Sequence, residues 1–243
     1  MEPINSGDPV EISIIIPVFN EEGLLETAIN DLVVKLAELN WNKEIIITEN
    51  GSTDRTLEIA NRLAATYPFI KVLHSSEPNY GKALRKGIET ATGKYCLCDE
   101  IDICDVDFQK AAISLLKSDV ADMIVGSKRH PDARDARPAI RRFATWVLNV
   151  MLRIATGFKG TDTHGLKAFN RLATLPVLER CIVEKDLFAS ELVIRAERMI
   201  RVREIPVTIV EKRPPAINLF KRVPNVLRNI FRLFLVIRLG KKA

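Results

Sequence analysis

Residues 11–52 read EISIIIPVFNEEGLLETAINDLVVKLAELNWNKEIIITENGS, and two changes of period within that stretch decide the fold. Residues 11–20 and 43–52 are short, continuous apolar runs that end in turn chemistry, the pattern of strands buried on both faces. Between them Leu24, Leu25, Ala28, Ile29, Leu32, Val33 and Leu36 recur at helical spacing along one stripe. Strand, amphipathic helix and strand make a βαβ unit, whose two strands lie parallel.

The unit repeats along the chain. Ser52 or Thr53 is the expected cap of a helix that closes before Pro68. IKVLHS (70–75) is a third strand, GKALRKGIETAT (81–92) a helix ending at Gly93, and KYCLC (94–98) a fourth strand. This order predicts an α/β fold, with a mostly parallel sheet covered by helices on both faces. The second half is less regular. It contains a strand in DMIVGSKR (122–129) and a helix over 139–156 with Phe143, Trp146, Val147, Val150, Met151 and Ile154 on a wide apolar face. GLKAFNR (165–171) reads as a strand, SELVIRAERM (190–199) as a helix, and VREIPVTIVEKR (202–213) as a strand pair or extended segment. In NVLRNIFRLFLVIRLG (225–240), Arg228, Arg232 and Arg238 punctuate an apolar stretch. The expected division is a main domain over 1–213 and a basic amphipathic segment over 214–243.

A chain of 243 residues with 47% hydrophobic and 28% charged residues supports a sizeable core. The net charge of +5 is unevenly spread. Arg and Lys gather in residues 128–142 and 212–242, which suits an anionic partner such as phosphate, nucleotide or lipid headgroup. Four cysteines without paired Cys-x-x-Cys spacing point to buried thiols in a reducing cytoplasm rather than to zinc or a disulfide framework. The N-terminal residues lack signal-peptide character, and no apolar run approaches the ~20 residues that cross a bilayer. The expectation is therefore a soluble or peripheral protein.

In parallel sheets ligands bind at the carboxyl ends of the strands. Here those ends read PVFNEE, TENGSTD and DEIDICD, and all three are polar or acidic. Residues 99–107 alone hold Asp99, Glu100, Asp102, Asp105 and Asp107. Crowded carboxylates repel unless a cation or donors offset them. Mg2+ or Mn2+ needs only one or two protein carboxylates besides phosphate oxygens and water. Glu100 and Asp102, two apart at a strand end, are expected to point the same way, with Asp99 on the opposite face. Asp105 and Asp107 are read as loop or helix-start charges. Lys82, Arg85, Lys128, Arg129, Arg141, Arg142 and Arg213 are the basic groups available to a diphosphate.

The succession Ile-Pro-Val-Phe-Asn-Glu-Glu (16–22), Glu-Ile-Ile-Ile-Thr-Glu-Asn-Gly-Ser-Thr-Asp-Arg-Thr (44–56), Gly-Lys-Ala-Leu-Arg-Lys-Gly (81–87) and Glu-Ile-Asp (100–102) resembles the family-2 glycosyltransferases of GT-A (Rossmann-like) fold. More narrowly, it is similar to the dolichyl- or polyprenyl-phosphate mannosyltransferase group. The resemblance continues through GSKR (126–129), Arg141, Arg142 and Asn149, TDTHGLKAFNR (161–171) and REIPV (203–207). It implies an inverting, metal-dependent transfer from a nucleotide sugar to a polyprenyl phosphate or other membrane lipid, with Mg2+ or Mn2+ as cofactor. The nucleotide would be held by Pro17, Phe19, Glu21, Glu49, Asn50, Lys82, Glu100, Ile101, Lys128 and Arg213, and the metal by Asp102 and Glu100. Asp102, Arg141, Arg142 and Asp162 would form the catalytic centre. If the acceptor is a hydroxyl, Asp162 or Glu191 must take its proton; a lipid phosphate is already ionised and needs no strong base. A basic amphipathic C-terminal segment suits the membrane interface, so the expected location is cytoplasmic, peripheral on the inner face of the membrane.

Four departures stand out. Glu49-Asn50-Gly51-Ser52 replaces the family's Asp-Asp-Gly-Ser, and asparagine donates as well as accepts, so the base read could differ. Glu100 replaces the first Asp of the metal motif, and Pro214-Pro215-Ala216-Ile217 follows Arg213 where the family has a Ser-Lys loop. His164 stands where a small hydroxyl residue is usual, and a lone histidine is more often structural than catalytic. Two other readings compete: a nucleotide-binding pseudoenzyme that kept the fold, and a basic nucleic-acid-binding domain. The second lacks an aromatic-basic RNA motif, and acidic strand tips would repel a phosphate backbone.

Overall fold

The computed structural model describes residues 9–209 and 219–240, with side chains from 223 onward in the second span. Seven strands form one sheet in the order β3-β2-β1-β4-β7-β5-β8. They are β1 (Ile12–Val18), β2 (Lys43–Asn50), β3 (Ile70–Ser75), β4 (Tyr95–Cys98), β5 (Met123–Ser127), β7 (Lys167–Asn170) and β8 (Val202–Pro206). A separate two-residue pairing joins β6 (Arg134–Asp135) to β9 (Thr208–Ile209). Every residue of β1 and β2 is buried, as their unbroken apolar runs demand.

The sheet is parallel except for β7, which runs antiparallel to both β4 and β5. That reversal positions the site. An antiparallel strand starts at the edge where its parallel neighbours end, so residues 161–167 lie beside the tips of β4 and β5.

Helices α1 (Leu25–Ala37), α2 (Thr56–Thr66) and α4 (Val106–Lys117) cover one face. The other carries α3 (Tyr80–Thr90), α5 (Ala139–Thr156), α6 (Arg171–Glu179), α7 (Phe188–Met199) and α8 (Leu219–Leu233), which continues as a π-helical turn, Phe234–Arg238. Two core clusters therefore sandwich the sheet, one built on Ile14, Ile16, Ile45 and Ile47, the other on Ile15, Ile46, Phe169 and Phe188.

Several elements differ from the sequence reading. α2 begins at Thr56 with neither Ser52 nor Thr53 as its cap. Asp54 Oδ1 takes the Thr56 N–H at 2.9 Å, while the Ser52 hydroxyl and the Thr53 N–H are committed to Asn20. α6 and β6 had no expectation attached; Asp105, read as a loop or helix-start charge, is the N-cap of α4, accepting from Phe108 N at 3.0 Å. Asp107 lies in the first turn of α4, where a negative charge complements the helix dipole.

The C-terminal segment packs on the domain: Ile230 and Leu233 are buried in the second core cluster. The expected boundary at 213/214 lies outside the described residues. α5 buries only Asn149, Leu152 and Thr156. Its apolar face stays largely exposed, with Ile140 at 65%, Phe143 at 58% and Ile154 at 76%.

Candidate active site at the carboxyl edge of the sheet

Two loops at the tips of β1 and β2 are tied into one rigid rim. Asn20, at φ 54°, donates its N–H to Ser52 Oγ and accepts the Thr53 N–H on its side chain. Glu21 donates its N–H to Thr56 Oγ1 at 2.7 Å. Pro17 is buried in β1, Glu21 is 6% exposed, and Phe19 lies on the rim between them, partly exposed. Glu49 is wholly buried, and its carboxylate accepts from Ser52 N and meets His74 Nδ1 at 2.5 Å each. Asn50 Oδ1 accepts the Asn79 N–H at 2.5 Å. Its amide nitrogen remains as a donor, a capacity aspartate lacks.

β4 ends at Cys98, one residue before the acids, so strand alternation does not orient Glu100 and Asp102 as expected. A tight turn does so instead: Ile103 and Cys104 both donate their N–H groups to Glu100 O. Ile101 is buried at 3% and anchors the turn, leaving its two acidic neighbours partly exposed. Neither carboxylate accepts a hydrogen bond or ion pair among the described residues. Asp99 behaves differently. It is 3% exposed, accepts Gln109 Nε2 at 2.6 Å and the Glu100 N–H at 3.0 Å, and burial pushes its pKa up to about 7.

Cations face this turn from the other half of the chain. Lys128 is 8% exposed; its ammonium donates to His164 O at 2.6 Å and lies 3.5 Å from Asp162 Oδ2. Asp162 is fully buried and also accepts the N–H groups of Lys128 and His164. Burial alone would raise its pKa, but the Lys128 ammonium, the His164 imidazole and those N–H groups hold it below the usual carboxylate value. Arg141 sits within electrostatic reach of Asp102 and Glu100, although burial and neighbouring Arg137 lower its pKa. Arg142 is exposed on the outer side of α5.

Lys82 is engaged elsewhere, at 3.1 Å from Glu77 and 3.4 Å from Glu184, bridging two loops. Arg85 is likewise committed to Cys181 O at 2.6 Å. Glu191, wholly buried, accepts the N–H groups of Ile182 and Val183 at 2.8 and 2.7 Å and pairs with Arg195 at 2.7 Å. It clamps the loop before α7 and stands apart from the acidic turn. Arg213 lies outside the described residues.

Sequence reasoning missed three groups. Arg137 binds Asp135 through two nitrogens at 2.7 and 2.8 Å. Burial opposes its charge, but Asp135, then Asp162 and Glu100, raise its pKa. Lys167, only 2% exposed within β7, donates to Gly165 O at 2.7 Å, and burial lowers its pKa. A lysine between Leu166 and Ala168 in an apolar strand was the available signal. Glu204 accepts from Thr161 and Asp162 N–H groups and so fixes the loop that carries Asp162. Gly165 completes that loop at φ 123°, where a side chain would be strained and a Cβ would come within 2.6 Å of Lys128 Nζ.

A recess of about 430 Å³ opens beside Asp102 towards α1 and α4. Glu38, Asp102, Asp105 and Asp107 line it against only Lys35 and Lys110. Carboxylates in excess suit a diphosphate poorly, which favours the side of the turn within electrostatic reach of Arg137 and Arg141.

Residues 13–180 match the family model described as glycosyl transferase family 2. The chain belongs to glycosyl transferase family 2. Glycosyltransferase AglD of Haloferax volcanii is 28% identical over 92% of this chain, and a dolichyl-phosphate beta-glucosyltransferase of Dictyostelium discoideum is 26% identical over 97%. The chain spans 78% of the latter, but only 37% of AglD and 24% of YibD of Escherichia coli. Glucosyl-3-phosphoglycerate synthase of Mycobacterium tuberculosis, solved with Mn2+, UDP and glucosyl-3-phosphoglycerate, superposes with a TM-score of 0.67 over 96% of this chain and 81% of that one. At 17% identity that likeness establishes the GT-A fold. In this family-2 chain the acidic turn, the rim and the Lys128–Asp162 pair thus occupy one edge of a GT-A sheet.

Proposed function

We propose that the chain is a metal-dependent, inverting glycosyltransferase that moves a sugar from a nucleotide-sugar donor to a polyprenyl phosphate or another membrane lipid. The observation that carries this reading is the pair of uncommitted carboxylates, Glu100 and Asp102, within electrostatic reach of Arg137 and Arg141. Hard oxygen ligands of this kind, fewer than three in number, fit Mg2+ or Mn2+ shared with a diphosphate. When bound, the cation acts as a Lewis acid on diphosphate oxygens.

The protein's own groups account for the rest. Pro17, Phe19, Glu21, Glu49 and Asn50 form the nucleotide side, with the Asn50 amide free to donate to a base carbonyl. Arg137, Arg141 and Lys128 stabilise negative charge as it grows on the leaving diphosphate, in a site partly shielded from water. Arg142, exposed on α5, serves the acceptor side. Inversion requires the acceptor oxygen to attack the anomeric carbon from the face opposite the departing diphosphate.

The acceptor class follows from proton availability. Asp162 holds its proton weakly and is already bonded, and Glu191 is fully occupied, so neither is poised as a general base. A phosphate acceptor is ionised near neutral pH and needs none. Among relatives, a dolichyl-phosphate beta-glucosyltransferase and a dodecaprenyl-phosphate galacturonate synthase of Rhizobium johnstonii carry lipid phosphates in their names, which supports this acceptor.

No helix of the described residues is long and apolar enough to cross a membrane. The exposed Ile140, Phe143, Trp146 and Ile154 of α5 and the exposed Val223, Leu227 and Phe231 of α8 suit peripheral contact, with Arg228 and Arg232 beside them, on the cytoplasmic face. The test is transfer from a panel of nucleotide sugars to a short polyprenyl phosphate and to the matching polyprenol. Metal-dependent transfer to the phosphate alone, lost in Asp102→Ala, is expected. Nucleotide binding without turnover on any acceptor would replace this reading with the pseudoenzyme.

A further inference from the structure

Far from the acidic turn, the far end of α7 carries a second concentration of charge. α7 starts near the Asp162 loop and ends at Met199, beside the start of β8, so Arg195 and Arg198 lie towards the opposite edge of the sheet. There a recess of about 250 Å³ is lined by Arg180, Arg195, Arg198, Met199, Val236 and Ile237. Three guanidinium groups share it and no carboxylate lines it. Arg238 adds a fourth charge nearby: it packs against Gly157, and together with burial it lowers the pKa of Arg198.

The local balance of charge leaves this cluster short of anions. Glu191 pairs with Arg195 Nε, yet Arg195 Nη2 is buried with no hydrogen-bond acceptor among the described residues. Arg198 is held by the carbonyls of Ile237 and Thr156, which are neutral acceptors. Glu197 is held by the Lys159 N–H and offsets part of the Arg198 charge from outside the recess lining, which leaves Arg180, Arg195, Arg198 and Arg238 against Glu191 and Glu197. The guanidinium of Arg180 has no acceptor among the described residues. Like charges gathered around a partly closed recess destabilise one another unless an anion joins them. Planar guanidinium forks match phosphate oxygens, and they do so through paired hydrogen bonds.

We propose that the recess between α6, α7 and the terminal π-helical turn is a binding site for a phosphate group, separate from the donor site. Arg180, Arg195 and Arg198 bind the oxygens, while Met199, Val236 and Ile237 provide an apolar wall for whatever carries the phosphate. Two sources share this chemistry: a phospholipid headgroup, reached because the π-helical turn continues the exposed amphipathic α8, and a soluble phosphomonoester. Only the lipid source rests on the membrane contact proposed above.

The experiment uses the full chain with chelator present, so that no metal supports phosphate at the acidic turn. Glycerol 3-phosphate is titrated by calorimetry, and sedimentation is measured with phosphatidylcholine vesicles with and without phosphatidic acid. Arg180→Glu is the main variant, because its side chain holds nothing else in place and a carboxylate there would occupy the recess. Arg195→Lys is the second, since it keeps a cation beside Glu191. Asp102→Ala serves as the control for the donor site. A loss of about tenfold or more in either variant, unchanged affinity in Asp102→Ala, is the expected result. Loss for glycerol 3-phosphate identifies a soluble ligand; loss for phosphatidic acid vesicles alone identifies a headgroup. Equal binding by wild type and both variants, or binding to neither probe, overturns the proposal. Failure of the donor-site reading would leave this result untouched.

Discussion

The Lys128 ammonium lies 3.5 Å from the Asp162 carboxylate, and both side chains are almost entirely out of solvent. The pair ties the end of β5 to the loop before β7 at the carboxyl edge of the sheet. Breaking a buried pair by removing one member leaves the other charge uncompensated, which costs about 3–5 kcal/mol. Asp162→Ala is therefore expected to lower stability by about that amount, read from urea denaturation midpoints at constant m. A change within 0.5 kcal/mol, the size typical of surface substitutions, would mean that the pair carries little of the loop's order.

His164 gives the same region a pH dependence. Burial, with Lys167 and Lys128 nearby, lowers its pKa against the opposing pull of Asp162. Its folded value lies below the ordinary value of about 6.5, so in the window beneath 6.5 the unfolded chain binds a proton that the native state refuses. Stability contributed by neutral His164 is present above that window and is lost as pH falls through it. Asp162, also held low, adds loss of the same sign at more acid pH. His164→Gln is expected to flatten the decline below pH 6.5, measured as the difference between melting curves of the two proteins. Parallel curves would show that His164 titrates normally.

Much of this arrangement was legible in the residues, for reasons that are local. The continuous apolar runs read over 11–20 and 43–52 are strands buried on both faces at 12–18 and 43–50, and the apolar face of residues 139–156 marked α5 to its ends. The direction of β7 was not legible, because strand pairing depends on the path of the loop before it and leaves no trace in a four-residue strand. Side-chain commitments were equally hidden. Glu191 looks like an available acid in SELVIRAERM, yet its partners, Ile182 and Val183, are backbone groups of an irregular loop. Arg137 was overlooked since its partner Asp135 sits in β6, a pairing two residues long.

Glu191→Gln separates a clamp from a base. The amide keeps an oxygen for the two loop N–H groups but gives up the ion pair with Arg195. A hydrogen bond to a charged group contributes about 1.5–3 kcal/mol, so a stability loss of that order is expected. The pH–rate profile of sugar transfer should keep its shape, with the effect on kcat no more than a few-fold. Loss of the acid-side limb of that profile, with the fold intact, would return Glu191 to the role of proton acceptor.

The rings of Phe143 and Trp146 lie 5.8 Å apart, tilted by 30°, on the open side of α5, at 58% and 46% exposure. Neither anchors the core, so replacing both with Ser should shift the melting temperature little. On a bilayer the two rings are the largest apolar surface that α5 can insert, beside the exposed cation of Arg142. Burying a large apolar side chain contributes about 1.5–3 kcal/mol, and each 1.4 kcal/mol is a factor of ten in partition. The double substitution is expected to weaken association with anionic vesicles by at least about tenfold in a sedimentation assay. Transfer to a water-soluble, short-chain acceptor should change far less, because the rings lie outside the acidic turn. Equal weakening of both would place Phe143 and Trp146 in the acceptor path itself.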